Sequence, residues 1–274
     1  MAIVFVSGSF DDLRSRHVRF LQEAARLGDL HVFLWSDEVV RRLTGRPPKF
    51  PEAERRYLVE AIRYVAGVSL VTELDQADVL PASAGPLAAR GVIWAVDEAD
   101  DAPARRAWCA AHGIGYRVFT AAELAGFPPD AGPEAEIGHP AVIVTGCYDW
   151  LHSGHVRFFE EASAYGDLIV VAGNDANVRH LKGAGHPLQT QEERRYMIAA
   201  IRYVRLALIS SGWGWLDAEP EIHRLKPDIY LVNEDGDRPE KREFCAAHGL
   251  RYVVLKRAPK EGLPRRSSTD LRGF

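Results

Sequence analysis

His152 and His155 stand three residues apart around Ser153-Gly154, just after the apolar run 141–145. A strand that gives way to a helix exposes free backbone N–H groups and the positive end of the helix dipole. That suits a polyphosphate. Gly154 permits close backbone approach. Two imidazoles beside it are placed to stabilise charge developing on a phosphoryl group in flight. The pair has no evident third ligand, which argues against a metal site. Two further features fit a phosphate: Lys182, and the hydroxyl run Ser267-Ser268-Thr269 at an expected helix start.

Such groups need a frame. Residues 141–145 are apolar throughout, as in a strand buried on both faces. Residues 153–165 follow with helical periodicity, then a strand at 168–172. Asn174 can cap a helix through Leu181, and Thr190 with Glu193 forms a capping-box pattern for a helix running to Tyr203. Strands at 206–209, 229–232 and 252–255 follow, with a helix over 239–248 before the last. Alternation of this kind predicts a parallel sheet with right-handed crossovers and ligands beyond the carboxyl ends of its strands.

The same frame occurs twice. The segment from Gly8 to Leu30 aligns with Gly146 to Leu168 at an offset of 138. Glu54–Val65 aligns with Glu193–Val204 at 139, and Cys109-Ala-Ala-His-Gly with Cys245-Ala-Ala-His-Gly at 136. The chain is thus expected to be α/β, with tandem duplicated Rossmann-like parallel-sheet domains of the HUP type. Residues 1–126 form the first, 127–140 a Pro/Gly-rich linker and 141–274 the second. Packing as an intramolecular pseudo-dimer is the expected arrangement, as a monomer or a homodimer. The first copy looks degenerate. It has Arg14 for His152, Arg16 for Gly154 and Thr44 for Lys182, and no counterpart of the hydroxyl run. His17 remains at the place of His155, which points to a structural role as well.

Composition sets the outer bounds. The 274 residues carry 34 Lys+Arg against 38 Asp+Glu, a net charge of −4, which argues against a nucleic-acid partner. The apolar start stops at Ser7, far short of a membrane span, and no membrane insertion is expected. Three cysteines give no disulfide framework, so a reducing, cytoplasmic setting is expected. Cys109 and Cys245 read as core residues. Trp213 and Trp215 fit either stacking on a ligand or packing under a loop.

The motifs of the second half resemble the cytidylyltransferase-like nucleotidyltransferases, a branch of the HxGH-containing Rossmann-like superfamily. The matching residues are Gly146-Cys147-Tyr148-Asp149-Trp-Leu-His152-Ser-Gly154-His155, Lys182-Gly183, Glu193-Arg194-Arg195, Ile201-Arg202-Tyr203-Val204 and Ser267-Ser268-Thr269. The tandem layout resembles that of the ethanolamine-phosphate cytidylyltransferases, with the order of intact and degenerate copies reversed. The resemblance implies attack of a phosphorylated alcohol or sugar on the α-phosphate of a nucleoside triphosphate, with CTP favoured over ATP and Mg²⁺ bridging the phosphates. An adenylyltransferase and a non-catalytic nucleotide-binding regulator are the alternatives. It implies that His152, His155 and Lys182 are catalytic. Gly146, Cys147, Tyr148, Asp149, Gly154 and Ser267–Thr269 would bind the nucleotide, with Asp149 shaping the loop or helping the metal. Arg194, Arg202 and Trp215 would meet the acceptor. Three positions depart from the pattern: Arg205 stands for an aspartate, Asn233-Glu234-Asp235 for Gly-Asp-Asp, and either Arg257 or Arg266 for the arginine before the hydroxyl run.

Overall fold

The computed structural model describes residues 2–74, 76–79, 91–128, 137–268 and 271. The chain divides into two compact units, Met1–Gly126 and Phe127–Phe274. The first unit runs β1 (Ile3–Gly8), α1 (Ser15–Ala25), β2 (Asp29–Trp35), α2 (Asp37–Thr44), α3 (Glu52–Glu60) and β3 (Gly67–Val71). It continues with β4 (Val92–Asp97), α4 (Pro103–Ala111) and β5 (Gly115–Phe119). The second runs β6 (Ala141–Gly146), α5 (Ser153–Ser163), β7 (Asp167–Ala172), α6 (Asp175–Lys182), α7 (Gln191–Ala199) and β8 (Leu206–Ile209). Then come α8 (Glu219–Leu225), β9 (Ile229–Asn233), α9 (Pro239–His248) and β10 (Arg251–Leu255).

Each unit holds one five-stranded, all-parallel sheet. The orders are β3-β2-β1-β4-β5 and β8-β7-β6-β9-β10, which are the same topology. Register agrees too: Ile3 pairs with Asp29 as Ala141 pairs with Asp167, and Val4 with Ile93 as Val142 with Ile229. The chain is therefore a tandem of Rossmann-like α/β units. The strand order reverses between β6 and its neighbours β7 and β9, which opens a crevice at the strands' carboxyl ends.

Burial follows the apolar runs. Val142, Ile143 and Val144 of β6 are fully buried, as are Leu168–Ala172 of β7, because helices cover both faces. Cys245 sits in the second core with Tyr230 and Phe244, and Cys109 in the first with Trp94. Burial pushes both thiols up to about 11, so both are inert core groups. Asn174 caps α6 by accepting from Asn177 N–H, and Thr190 caps α7 by accepting from Glu193 N–H.

The boundaries shift in places. Helix α5 ends at Ser163, two residues before the expected end. Helix α7 ends at Ala199, where Ile201 and Val204 turn the chain through short backbone bonds to Ile198 and Ile201. Part of the expected linker, 129–136, lies outside the described residues. So does Thr269, with all of the expected final helix except Leu271.

Candidate active site

The crevice of the second unit is a cavity of about 360 Å³. The ends of β6, β7 and β9 supply its floor, and the first turn of α5 one wall. His152 is the N-cap of α5. Its Nδ1 accepts from Gly154 N–H at 3.1 Å, which places the ring proton on Nε2. The His152 and His155 rings stack, with centroids 3.9 Å apart and planes 20° from parallel. Burial holds the His155 imidazole well below its usual value, and His152, Arg257 and Lys182 add to the effect. The ring is neutral at physiological pH. Its Nδ1 is buried without a hydrogen-bond partner among the described residues, and so is the Tyr148 hydroxyl.

Gly154 is required by its neighbours. A Cβ there would lie 3.0 Å from the His152 ring and 3.4 Å from the Arg266 carbonyl oxygen. Gly146 likewise lies under the Tyr148 ring, where a Cβ would be 2.8 Å from Cζ. Tyr148 takes a left-handed backbone conformation and stands edge-on to His155, walling the cavity. Lys182, the last residue of α6, lines the cavity, as do Cys147, Trp215 and Ser268. Burial pushes the Cys147 thiol up, against a smaller opposing influence of Lys182, so the group stays protonated.

Arg194 and Asp149 are engaged by the protein itself, Asp149 in the loop-shaping role that was one of the two expected of it. Arg194 is fully buried, and its guanidinium donates to the carbonyls of Gln189, Cys147 and Gly173 and to Asp175 Oδ1. Arg55 does the same in the first unit, with Phe50, Ser9, Trp35 and Asp37. A group kept in the copy that lost the histidine pair is structural, and its donors are engaged by backbone rather than left to an acceptor. Arg202 is exposed and is not among the residues lining the cavity. Asp149 is a latch as well: Oδ1 accepts from Leu188 and Gln189 N–H at 2.6 and 3.0 Å, and His186 lies 3.3 Å from Oδ2. Asp11 holds Lys49 and Phe50 N–H at the matching place, one on each carboxylate oxygen. Ser267 is half-buried and is not a lining residue, while Arg257, rather than Arg266, lines the cavity and pairs with Asp235 at 2.7 Å.

The cavity also gathers residues that sequence reasoning passed over. Asn177 is buried and ties the Trp215 loop down, bonding Gly214 N–H and carbonyl and Asp217 Oδ2. Ser210 also donates to Asp217 Oδ2, at 2.8 Å. Burial pushes the Asp217 carboxyl up. Gly173 directly follows β7, where a Cβ would meet Val178 at 3.0 Å. Arg238 lies over the Trp215 ring, 4.7 Å from its centroid. Lys241 reaches the floor from α9.

In the first unit the corresponding space is filled. Trp35 stands where the second unit has Gly173, its indole N–H donating to Ser7 Oγ at 2.8 Å. Arg16, at the place of Gly154, forms a two-point pair with Asp97 at the end of β4.

A parallel sheet with a glycine-spaced histidine pair at the switch point defines a nucleotide-binding α/β enzyme of the HxGH kind. The cytidylyltransferase-like family model matches residues 5–104 and 143–274. The chain belongs to this family of nucleotidyltransferases. It is 34% identical over 137 residues to the bifunctional protein HldE of Azotobacter vinelandii, a match covering 48% of this chain and 27% of that protein. It is 32% identical over 123 residues to the FAD synthase of Ferroglobus placidus, covering 44% of this chain and 77% of that protein. The match thus spans about a quarter of the HldE relatives' length. A lipopolysaccharide core biosynthesis protein from Thermoplasma volcanium aligns over 45% of this chain and all of its own, at 23% identity and a TM-score of 0.39. Among the described residues, no helix is long and apolar enough to cross a membrane.

Proposed function

We propose that residues 141–274 transfer a nucleoside monophosphate, CMP in the favoured case, from a nucleoside triphosphate to a phosphorylated alcohol or sugar. An oxygen of the acceptor phosphate forms a bond to the α-phosphorus, the bond to the β-phosphate oxygen breaks, and pyrophosphate leaves. No covalent enzyme intermediate is required. Catalysis is then positioning and charge stabilisation. His152, with its proton on Nε2, and His155 donate to the oxygens of the α-phosphate as charge builds. Lys182 supplies a full positive charge at the opposite wall. Ser268 and the helix N-terminus at Ser153 receive the outer phosphates. The observation that carries this reading is the stacked, buried His152–His155 pair at the cavity wall, with His155 Nδ1 making no side-chain hydrogen bond among the described residues.

Among the described residues no group of three or more His, Cys, Asp or Glu side chains could hold a metal ion. The donor set fits Mg²⁺ that enters on the triphosphate and keeps mostly water ligands. Such an ion would neutralise the phosphates. ATP is the second reading, favoured by the relative named FAD synthase, whose product contains an adenine nucleotide. The test is pyrophosphate release, each nucleoside triphosphate being screened against a panel of phosphorylated alcohols and sugars. Turnover with one triphosphate assigns the nucleotide. Binding without release by any pair would favour a regulatory nucleotide sensor instead.

A further inference from the structure

Lys241 is 6% exposed, yet it lines the cavity. Among the described residues its ammonium makes one hydrogen bond, to Thr145 Oγ1 at 3.4 Å, and it sits 5.5 Å from the centre of the Tyr230 ring. Among the described residues no carboxylate comes within ion-pair distance of it. Burial pushes its ammonium down, with the Asp217 charge pulling the other way. A buried ammonium with one long bond is costly unless a ligand supplies the missing acceptors.

The first unit shows the contrast. Arg105 occupies the matching place on α4, also buried, over Trp94. Its guanidinium is engaged by the Asp100 and Ala77 carbonyls and by Asp78. The next residue pair is unchanged between units: Arg106 holds Asp101 as Arg242 holds Asp237. Between Arg105 and Lys241 the difference is that Lys241, which lines the cavity, keeps one long hydrogen bond and, among the described residues, no carboxylate partner. A second observation points the same way. Two aromatic faces, that of Trp215 in the cavity lining and that of Tyr230, are already covered by the protein's own cations, Arg238 and Lys241.

We infer that Lys241 and Arg238 select an acceptor carrying a second anionic group, a carboxylate or another phosphate, at the end remote from the attacking phosphate, and reject amino-alcohol phosphates. This rests on the acceptor reading of the cavity given above. Lys241 acts here as a specificity residue, binding the acceptor without touching the bonds that change.

The test is calorimetric titration of the full chain with three probes that share a phosphate: 3-phosphoglycerate, glycerol 3-phosphate and phosphoethanolamine. The expected order of affinity is as written, with at least about tenfold between the first and the last, the worth of a charge-assisted hydrogen bond. In Lys241→Met, 3-phosphoglycerate should bind no better than about twofold tighter than glycerol 3-phosphate. That variant removes an unpaired buried charge, so its thermal midpoint should rise; Lys241→Gln, which keeps a polar group, should behave the same way in binding. Equal affinities for the three probes, preference for phosphoethanolamine, no binding of any probe at millimolar concentration, or an unchanged preference in both variants would each overturn the inference. Titration of the unaltered protein with CTP and ATP separates the two proposals. The expected probe order without binding of either nucleotide leaves the anion site standing and removes the transferase reading. Nucleotide binding with a flat probe series does the reverse.

Discussion

Arg16 grips Asp97 with two parallel hydrogen bonds, 2.9 and 2.7 Å long, across the crevice that in the second unit lies between Gly154 and Asn233. The pair is half-exposed at the arginine, so its contribution to stability is small. Its effect is to occupy space, as does Trp35 beside it.

Rebuilding those features in the second unit should close it. Gly154→Arg and Gly173→Trp place in the second unit the residues that the first carries; because a Cβ at either position comes within 3.0 Å of His152 or Val178, circular dichroism first checks that each variant is folded. Each should abolish nucleotide binding, and the unaltered chain should bind one nucleotide. Isothermal calorimetry reads both results. Two equivalent sites per chain, or full binding by Gly173→Trp, would show that the first unit is not blocked as described.

Removal of the imidazoles tests the chemistry. His155→Ala and His152→Ala should each lower kcat by about 10²–10³, the usual cost of one preorganised donor to a developing oxyanion. His152 also caps α5, so its alanine variant should lose about 1 kcal/mol of stability in addition. His152→Asn can keep the cap and should lose only the rate. Lys182→Ala should be comparably slow, whereas Arg14→Ala and Thr44→Ala should stay within a few-fold of the parent. Steady-state pyrophosphate release on folded variants decides this.

Arg194 and Arg55 make a matched pair of stability tests. Each variant, Arg194→Ala and Arg55→Ala, strands three backbone carbonyls and an aspartate, for a loss on the order of 3 kcal/mol. Urea unfolding followed by tryptophan fluorescence should show that loss in both. An Arg194→Ala protein with undiminished stability and a raised acceptor KM would return this residue to the acceptor site.

Acid should destabilise the fold through two histidines. Burial lowers the folded-state values of His155 and His17 below the usual 6.5. Between each folded value and about 6.5 the unfolded chain binds the proton and the folded chain does not. The contribution is therefore complete above about pH 6.5 and is lost as pH falls toward the folded values. Urea midpoints should be level from pH 7 to 8 and decline below pH 6.5, less steeply in His17→Gln. A midpoint that rises on acidification contradicts the burial of these rings.

Much of this was legible because strands buried on both faces leave an unbroken apolar signature. The strand Leu206–Ile209 and the helix Pro239–His248 lie where the pattern puts them. The end of α7 was not legible, because Ala200 and Ile201 continue the helical periodicity and no glycine or proline stops it. The carbonyl partners of Arg194 were not legible because they come from separate segments, yet Arg55, in the unit without the histidine pair, carried a signal of that structural role. Lys241 lies in Pro-Glu-Lys-Arg-Glu, which has the composition of a solvated helix. Only the fold turns that one lysine inward. Comparison of the halves column by column, with Arg105 against Lys241 and Trp35 against Gly173, would have singled it out.

The block formed by Trp35 and the Arg16–Asp97 pair has a kinetic consequence. Two open copies in one polypeptide could show homotropic cooperativity, since occupation of one could bias the other. With one copy closed by its own side chains, a single chain has nothing to cooperate with. Its saturation curve should be hyperbolic with a Hill coefficient of one, and sigmoidal kinetics would be the signature of a second chain.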